Sequence, residues 1–329
     1  TWTATDACGN TDDCIQTITV VDTYTPTITC PSDILNVPND PGLCSSVQTF
    51  TLPESLDPGY NEGWENANFV RGTHCGWIPY NHTLSSVADG TDGIPSKTGS
   101  RHGYIIEPSS GFTGIYSRLG AYNNDFCNGY RVTLDVYMNL DDPAVIANTY
   151  GWDLSVASSK QDGNHLRDFI FHTASNASGE ILVGASNNSN GTRRNDLASI
   201  NHHTITSTGW YTFEWIFYDD ADALSVDLSL LDAGGNWLWT ETRTNTADLI
   251  STVVGGNRYM WFTFLETASL AIDNASIERY TDVVADNPSG AAFPVGTTTV
   301  TVTSTDCCTN EEDCTFTVEV IDNEIPTVT

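Results

Sequence analysis

The sequence predicts an all-β protein, and three observations carry that prediction. Apolar and polar residues alternate with a period of two, the alternating runs are bounded by Gly, Asn, Asp and Pro, and no segment carries the stripe of an amphipathic helix. The clearest runs form a pair. Tyr211, Phe213, Trp215 and Phe217 alternate with Thr212, Glu214, Ile216 and Tyr218, while Leu224, Val226, Leu228 and Leu230 alternate with Ser225, Asp227 and Ser229. Asp219 to Ala223 supplies the turn between them. Similar runs occupy Tyr130 to Met138, Tyr150 to Val156, Asp168 to His172, Glu180 to Ala185, Asn257 to Leu265, Thr297 to Thr303 and Thr315 to Ile321. Many short antiparallel strands joined by such turns specify a sandwich or jelly roll.

The two ends of the chain repeat each other. Thr1 to Thr29 aligns without a gap onto Thr301 to Thr329, with identities at Thr5/Thr305, Asp6/Asp306, Cys8/Cys308, Asn10/Asn310, Asp13/Asp313, Cys14/Cys314, Asp22/Asp322 and Pro26/Pro326. One full period and the tail of another are the expectation for a window onto a tandem array. The 329 residues, 39% of them apolar, suffice for two or three domains with real cores. Acidic residues number 42 against 12 basic ones, giving a formal charge of −30, so partners gripped through phosphates are disfavoured and nucleic acid is excluded. No apolar run approaches the roughly 20 residues that span a bilayer. Thr1 to Asn10 has neither the basic start nor the apolar stretch of a signal peptide.

Nine cysteines occur without a Cys-x-x-Cys spacing, which favours disulfides over a metal site and places the protein outside the cell or on its surface. One scheme clasps hairpins locally through Cys8 with Cys14 and Cys308 with Cys314, and pairs Cys30 with Cys44 and Cys75 with Cys127. It leaves Cys307 over. A second scheme bridges Cys30 or Cys44 to Cys308 or Cys314, and the spacing leaves both open.

Thr29-Cys30-Pro31-Ser32-Asp33, Gly42-Leu43-Cys44, Thr51-Leu52-Pro53 and, far downstream, Pro288-Ser289-Gly290, Phe293-Pro294-Val295-Gly296-Thr297 and Cys314-Thr315-Phe316-Thr317-Val318 together resemble one hyalin repeat. The resemblance implies an immunoglobulin-like sandwich that occurs in tandem in extracellular, often adhesive, proteins. One departure is that Asp57-Pro58-Gly59 stands where hyalin repeats commonly carry a Cys, and the expectation is a loop opened there to admit a guest. That insert resembles a lectin-type jelly roll of the concanavalin or laminin-G sort. The likeness rests on Ser117-Arg118-Leu119-Gly120, Gly209-Trp210-Tyr211-Thr212-Phe213, Asp232-Ala233-Gly234-Gly235-Asn236 and Ala271-Ile272-Asp273-Asn274-Ala275-Ser276-Ile277. The implied organisation is residues 1–22 as the last two strands of a preceding repeat, 23–29 a linker, 30–58 the first half of the sandwich, 59–280 the insert, 281–322 the second half, and 323–329 a further linker. The resemblance also implies that the first and last strands of the insert lie side by side.

Chemistry is sparse. Glycosidases of this lectin-like fold carry a Glu-x-Asp-x-x-Glu carboxylate pair, and the nearest imitation, Glu319, Asp322 and Glu324, lies at the exit of the sandwich. Glu214 is a single carboxylate beside Trp215, there is no Gly-x-Ser-x-Gly, and His165, His172, His202 and His203 lack zinc-site spacing. The expectation is a protein without catalytic residues. The jelly-roll resemblance places a structural calcium near Asp273, with Glu62 and Glu65 as further oxygen ligands, against the alternative of an Asp held by turn amides. A polysaccharide surface would need aromatic platforms with polar neighbours. Trp77 and Tyr80, Trp237 and Trp239 on one face by period-two spacing, and the polar Asp168 are the candidates, with core packing as the other reading of the tryptophans. Asn81, Asn176, Asn187, Asn190 and Asn274 lie in glycosylation sequons. Two functions follow: a structural, adhesive stalk or filament segment whose partners are neighbouring repeats or copies, with the insert displayed as a contact surface, or a carbohydrate-binding module.

Overall fold

The computed structural model describes residues 1–17, 24–67, 77–79, 82–106, 111–112, 114–117, 128–159, 165–187, 193–220, 223–245 and 260–326. The protein is all-β, and strands make up most of the described residues, with only three short helical turns among them. Among the described residues no helix is long and apolar enough to cross a membrane.

Two eight-stranded antiparallel sheets form the larger body. The first runs in the order Trp237–Asn245, Ala223–Leu231, Gly209–Asp220, Tyr130–Met138, Ser269–Tyr280, Arg101–Ile106 and Thr83–Ala88, with Leu56–Glu62 also paired to Ser269–Tyr280. The second runs His202–Ile205, Ile181–Asn187, His165–Ser175, Gly151–Ser159, Met260–Glu266, Tyr116–Ser117 and Trp77–Ile78, with Gly111–Phe112 on Met260–Glu266. The alternation read in the sequence sets the interface between them. Phe213, Trp215 and Phe217 point inward from the first sheet and meet Trp152, Phe169 and Phe171 of the second, all nearly fully buried. Their rings meet at edges: Phe171 lies 5.0 Å from Phe213 and 4.8 Å from Trp215, and Phe169 5.3 Å from Phe217. The Trp215 indole N–H donates to the Phe169 carbonyl at 3.1 Å, and that of Trp152 to the Tyr150 hydroxyl at 2.8 Å.

A second core belongs to a smaller sandwich. Asp282–Ala285, Gly296–Thr305, Glu311–Ile321 and Ile34–Pro38 make one sheet, Ile34–Pro38 running parallel to its neighbour. Ser45–Val47 pairs with Ala292–Pro294 beside it. Phe293, Val300, Val302, Phe316, Val318 and Val320 pack with Ile28, Ile34, Phe50 and Leu52, so residues from both ends of the chain share one interior. A disulfide joins Cys30 to Cys314, with Cα atoms 5.6 Å apart across 284 residues of sequence.

This bridge corrects the local pairing expected from the hairpins. Cys30 is bonded to Cys314 and not to Cys44, Cys314 is therefore not bonded to Cys308, and Cys8, Cys14 and Cys44 are exposed thiols. Cys307, expected to be left over, is itself disulfide-bonded. Cys75 and Cys127 lie outside the described residues. The physical reason is register: Cys314 stands directly opposite Val302 within the hairpin, so its side chain faces the core and reaches the incoming first strand across it.

The junction between the bodies is a ribbon and not the loop expected at Asp57 to Gly59. Leu56–Glu62 pairs continuously with Ser269–Tyr280, from Leu56 opposite Tyr280 to Glu62 opposite Ala275. Gly59 is the extra residue of a bulge between Pro58, opposite Glu278, and Tyr60, opposite Ile277. A Cβ there would lie 2.8 Å from the Ile277 carbonyl oxygen, so the ribbon closes at this spacing only with glycine. At its base the hydroxyls of buried Ser55 and half-buried Thr281 each lie 2.7 Å from the Ser304 hydroxyl, and Ser55 donates to the Thr27 carbonyl at 2.8 Å. Arg279 pairs with buried Asp57 at the same neck.

One turn design recurs. In Asp6 to Asn10, Asp306 to Asn310 and Asp232 to Asn236, the first carboxylate accepts from the backbone N–H groups two and four residues on, at 2.8–2.9 Å, and from the closing Asn side chain. The fourth position is left-handed, filled by Gly9 (φ 87), Gly235 (φ 82) and, against the usual preference, Thr309 (φ 68).

Cys30→Ser is expected to lower the stability of the smaller sandwich by about 2–5 kcal/mol. Calorimetry should then separate two transitions, the larger body melting where it does in the parent chain; one transition shifting as a unit would contradict the separation of the two cores.

Candidate functional site

Trp237 and Trp239 leave the Asp232–Asn236 turn on the edge strand of the first sheet. Period-two spacing puts them on one face, but the strand carries a bulge, with Leu230 opposite Trp239 and Leu231 opposite Trp237. The two indoles therefore part. Trp239 packs on the large core, 6.4 Å from Phe171, and donates to the Asn201 side chain at 3.2 Å. Trp237 turns outward and is 70% exposed, its N–H 3.5 Å from the Glu214 carboxylate. Glu214 is buried on the outer face of the sheet, and burial raises its pKa against the Trp237 hydrogen bond and the Arg131 charge. Trp77 is fully buried, 5.5 Å from Trp64, and belongs to the core. Tyr80 lies outside the described residues.

Asp168 sits on the outer face of the second sheet and accepts from the Ser155 hydroxyl at 2.9 Å. Beside it lies a line that no sequence motif announced. Asp153 stands opposite His172, and Ser186 lies two residues along from Gly184, which also faces His172. The His172 imidazole is 2.7 Å from the Asp153 carboxylate through Nδ1 and 2.7 Å from the Ser186 hydroxyl through Nε2. All three side chains are almost wholly buried, and Leu197 closes over Gly184 so tightly that a Cβ there would lie 2.7 Å from it. The line ties three strands together under that cover. Its only trace in the sequence is polar residues at alternate positions of otherwise apolar strands.

The carboxylates named for calcium are each held by amides. Glu65 accepts from the Ser100 N–H at 3.0 Å, the Ser100 hydroxyl at 2.8 Å and the Arg101 N–H at 3.1 Å, and these bonds lower its pKa. Glu62 accepts from the Trp64 N–H at 2.7 Å. Asp273, fully buried, accepts from the N–H groups of Lys97 at 3.1 Å, Thr98 at 3.3 Å and Asn274 at 2.9 Å. Among the described residues no group of three or more His, Cys, Asp or Glu side chains is arranged to hold a metal ion. Asp273 instead faces another acid. Asp135 stands opposite it on the adjacent strand, accepting from Thr212 and, at 2.8 Å, from the Asn274 side chain. Burial, with the Asp135 charge adding, pushes the Asp273 carboxyl up to about 7.

The HYR domain matches residues 236–320. Its second half overlies Gly296–Thr305 and Glu311–Ile321 of the small sandwich, while its first half falls on Trp237–Asn245 and Ser269–Tyr280 of the large sheet. The residues that complete the sandwich lie at 28–52, beyond the reach of a contiguous match. No curated protein matches the chain. Among solved structures, the chain is similar to the CBM2 module of the evolved Dit of Lactobacillus casei BL23 phage J-1, with 9% identity, 70% of this chain and 98% of that one covered, and a TM-score of 0.34. It is similar to an endo-1,3-beta-glucanase from Streptomyces sioyaensis, with 10% identity, 74% and 99% covered and a TM-score of 0.35. For lectin II from Ulex europaeus the values are 10%, 68% and 100%, and 0.34. Likenesses this loose carry nothing about ligand or reaction; the architecture rests on the strand order itself.

The buried acid pair gives a pH signature. The Asp273 carboxyl binds its proton more tightly when folded than at its ordinary 3.8, so its favourable contribution is complete below that pH and is lost as pH rises through about 7. Asp273→Asn keeps an acceptor for the amides of Lys97 and Thr98 and removes the titration. Thermal unfolding of the variant should lose the decline in stability between pH 4 and 7 that the parent shows; parallel profiles would exclude Asp273 as its source.

Proposed function

We propose that this protein is an extracellular structural and adhesive module, in which a disulfide-clasped hyalin-type sandwich is the repeating unit and the jelly-roll body of residues 59–280 is displayed from it as a contact surface. The observation that carries this reading is the repeated hairpin. Trp2 to Thr5 pairs with Thr11 to Cys14 in the same register as Val302 to Thr305 with Glu311 to Cys314, an offset of 300 at every position. The HYR match over residues 236–320 supports the extracellular, adhesive setting. Residues 1–22 would then close a preceding unit, and 23–29 and 323–329 would serve as linkers. The second linker is pinned to its own sandwich, since the Glu324 carboxylate accepts from the Gly42 N–H at 2.9 and 3.0 Å. A linker held at one end and stiffened by Pro326 spaces units semi-rigidly.

The period itself defines the test, because residues 1–329 followed by a second copy of 30–329 make a two-unit array with a native junction. Small-angle scattering should give a maximum dimension roughly twice that of one unit for a semi-rigid linker. A pair folded back to the dimension of a single unit would overturn the reading.

A carbohydrate-binding role for the displayed body is favoured by one residue. Trp237 presents a 70% exposed indole beside the Glu214 carboxylate, an apolar platform with a hydrogen-bonding neighbour. A glycan array should then give a signal that Trp237→Ala removes while leaving the melting temperature unchanged; a signal indifferent to that substitution would reject Trp237 as the platform. A calcium ion held by Glu62, Glu65 and Asp273 would share these carboxylates with the backbone amides that already bind them, and a rise in melting temperature on adding calcium that is lost in Glu65→Gln would support it.

A further inference from the structure

The outer face of the first sheet carries a band of polar side chains that crosses the strands in one row. Thr240, Ser229, Glu214, Thr133, Ser276 and Asn61 stand directly opposite one another on successive strands, a span of roughly 24 Å at the usual strand spacing. The hydroxyls pair off, Ser229 with Thr240 at 2.9 Å and Thr133 with Ser276 at 2.7 Å. Glu214, in the middle, is left over. It is 5% exposed, and the one hydrogen bond of its carboxylate among the described residues is the 3.5 Å contact from the Trp237 indole. Arg131, the cation one row along, is taken by Glu278 through Nε at 2.9 Å and Nη2 at 2.5 Å. The charges of Glu54 and Glu278 add to burial in raising the Glu214 pKa. A carboxylate so placed is stabilised by a cation that arrives from the open side. There the exposed indole of Trp237 offers positive charge a second favourable surface.

We infer that Trp237 and Glu214 seat the protonated amine of an amino sugar, and that the sugar chain bearing it lies along the row of hydroxyls. The inference rests on the carbohydrate reading of Trp237 above and adds the chemical class of the sugar. A primary ammonium brings three donors, enough for the Glu214 carboxylate and for the hydroxyls of Thr133 and Ser229 that flank it. Its charge also lets the buried acid ionise. The hydroxyl of a neutral sugar donates one hydrogen bond and leaves that charge uncompensated. An acidic sugar meets Glu214, Glu278 and Glu54 on a chain of formal charge −30. A metal ion needs several converging carboxylates, whereas Glu214 stands among hydroxyls, and among the described residues no group of three or more His, Cys, Asp or Glu is arranged to hold one.

The test is calorimetric titration of the intact chain with hexasaccharides of one linkage built from glucosamine, N-acetylglucosamine or glucose, in a slightly acidic buffer that keeps the amines charged. The glucosamine hexamer should bind about tenfold more tightly than either of the others, equivalent to about 1.4 kcal/mol. Glu214→Gln, which keeps the shape of the side chain, and Trp237→Ala should each weaken its binding by a similar factor. Glu180, exposed in a hairpin turn of the second sheet, gives the control. Glu180→Gln removes the same charge and should change nothing, which separates a seat from the general pull of an acidic protein on a polycation. Equal binding of the hexamers, no binding of the glucosamine hexamer, or equal losses in Glu180→Gln and Glu214→Gln would overturn the inference. Should Glu214→Gln not fold, the order of the hexamers on the parent chain and the Trp237→Ala variant still decide. A glucose hexamer that binds as tightly and is released by Trp237→Ala sinks the amine alone, and a glycan array without signal sinks the carbohydrate reading with it.

Discussion

The structure depends on a tie between two stretches of chain that are far apart in sequence. Ile28, Ile34, Phe50 and Leu52 cannot bury their side chains among themselves, and Val300, Val302, Phe316 and Val318 lack a covering layer without them. Their union, fixed by the Cys30–Cys314 bond, forces everything between to leave and return at one place. A flexible excursion would meet that requirement with two frayed strands. Here the strands pair with each other as they cross, so their backbone groups stay hydrogen-bonded, and the hydroxyls of Ser55, Thr281 and Ser304 join them at the base.

The guest is held by its own interior and owes little to its host. Ring pairs such as Phe171 with Trp215 and Trp152 with Phe213, at 4.8 and 5.0 Å, lie between its two sheets. Its outer faces are unusually polar for surfaces so well covered. The Asp153, His172 and Ser186 line and the Asp135 and Asp273 pair each place ionisable groups in nearly complete burial, where their hydrogen bonds fix register as much as they add stability.

Much of this was legible in the residues. The strand pair around Asp219 to Ala223 follows from alternation, because a pleated strand shows successive side chains to opposite faces, and the Asp-x-x-Gly-Asn turns follow from the need for a left-handed fourth residue. Three things were not legible. The bulge that parts Trp237 from Trp239 inserts a residue without any compositional sign. The Cys30–Cys314 bond belongs to the second of the two schemes the sequence left open, and the choice between them is made across the sheet, where the local spacing of Cys308 and Cys314 points elsewhere. The His172 line joins three strands through single residues, so its members gain meaning only once register is known. Among the candidate site residues, Trp77 lies in the core, while the carboxylates of Glu62, Glu65 and Asp273 accept from backbone amides.

The covalent topology also decides how the molecule carries tension. A pull applied between the two ends of the chain travels along the backbone to Cys30, crosses the sulfur–sulfur bond and leaves from Cys314. Everything between those two residues, including the whole displayed body, hangs beside the load path as a closed loop that bears none of the force. A strand of such units could be stretched to the strength of its covalent bonds while each guest stays folded and available, and a reducing agent would act as the release that puts the guest under strain.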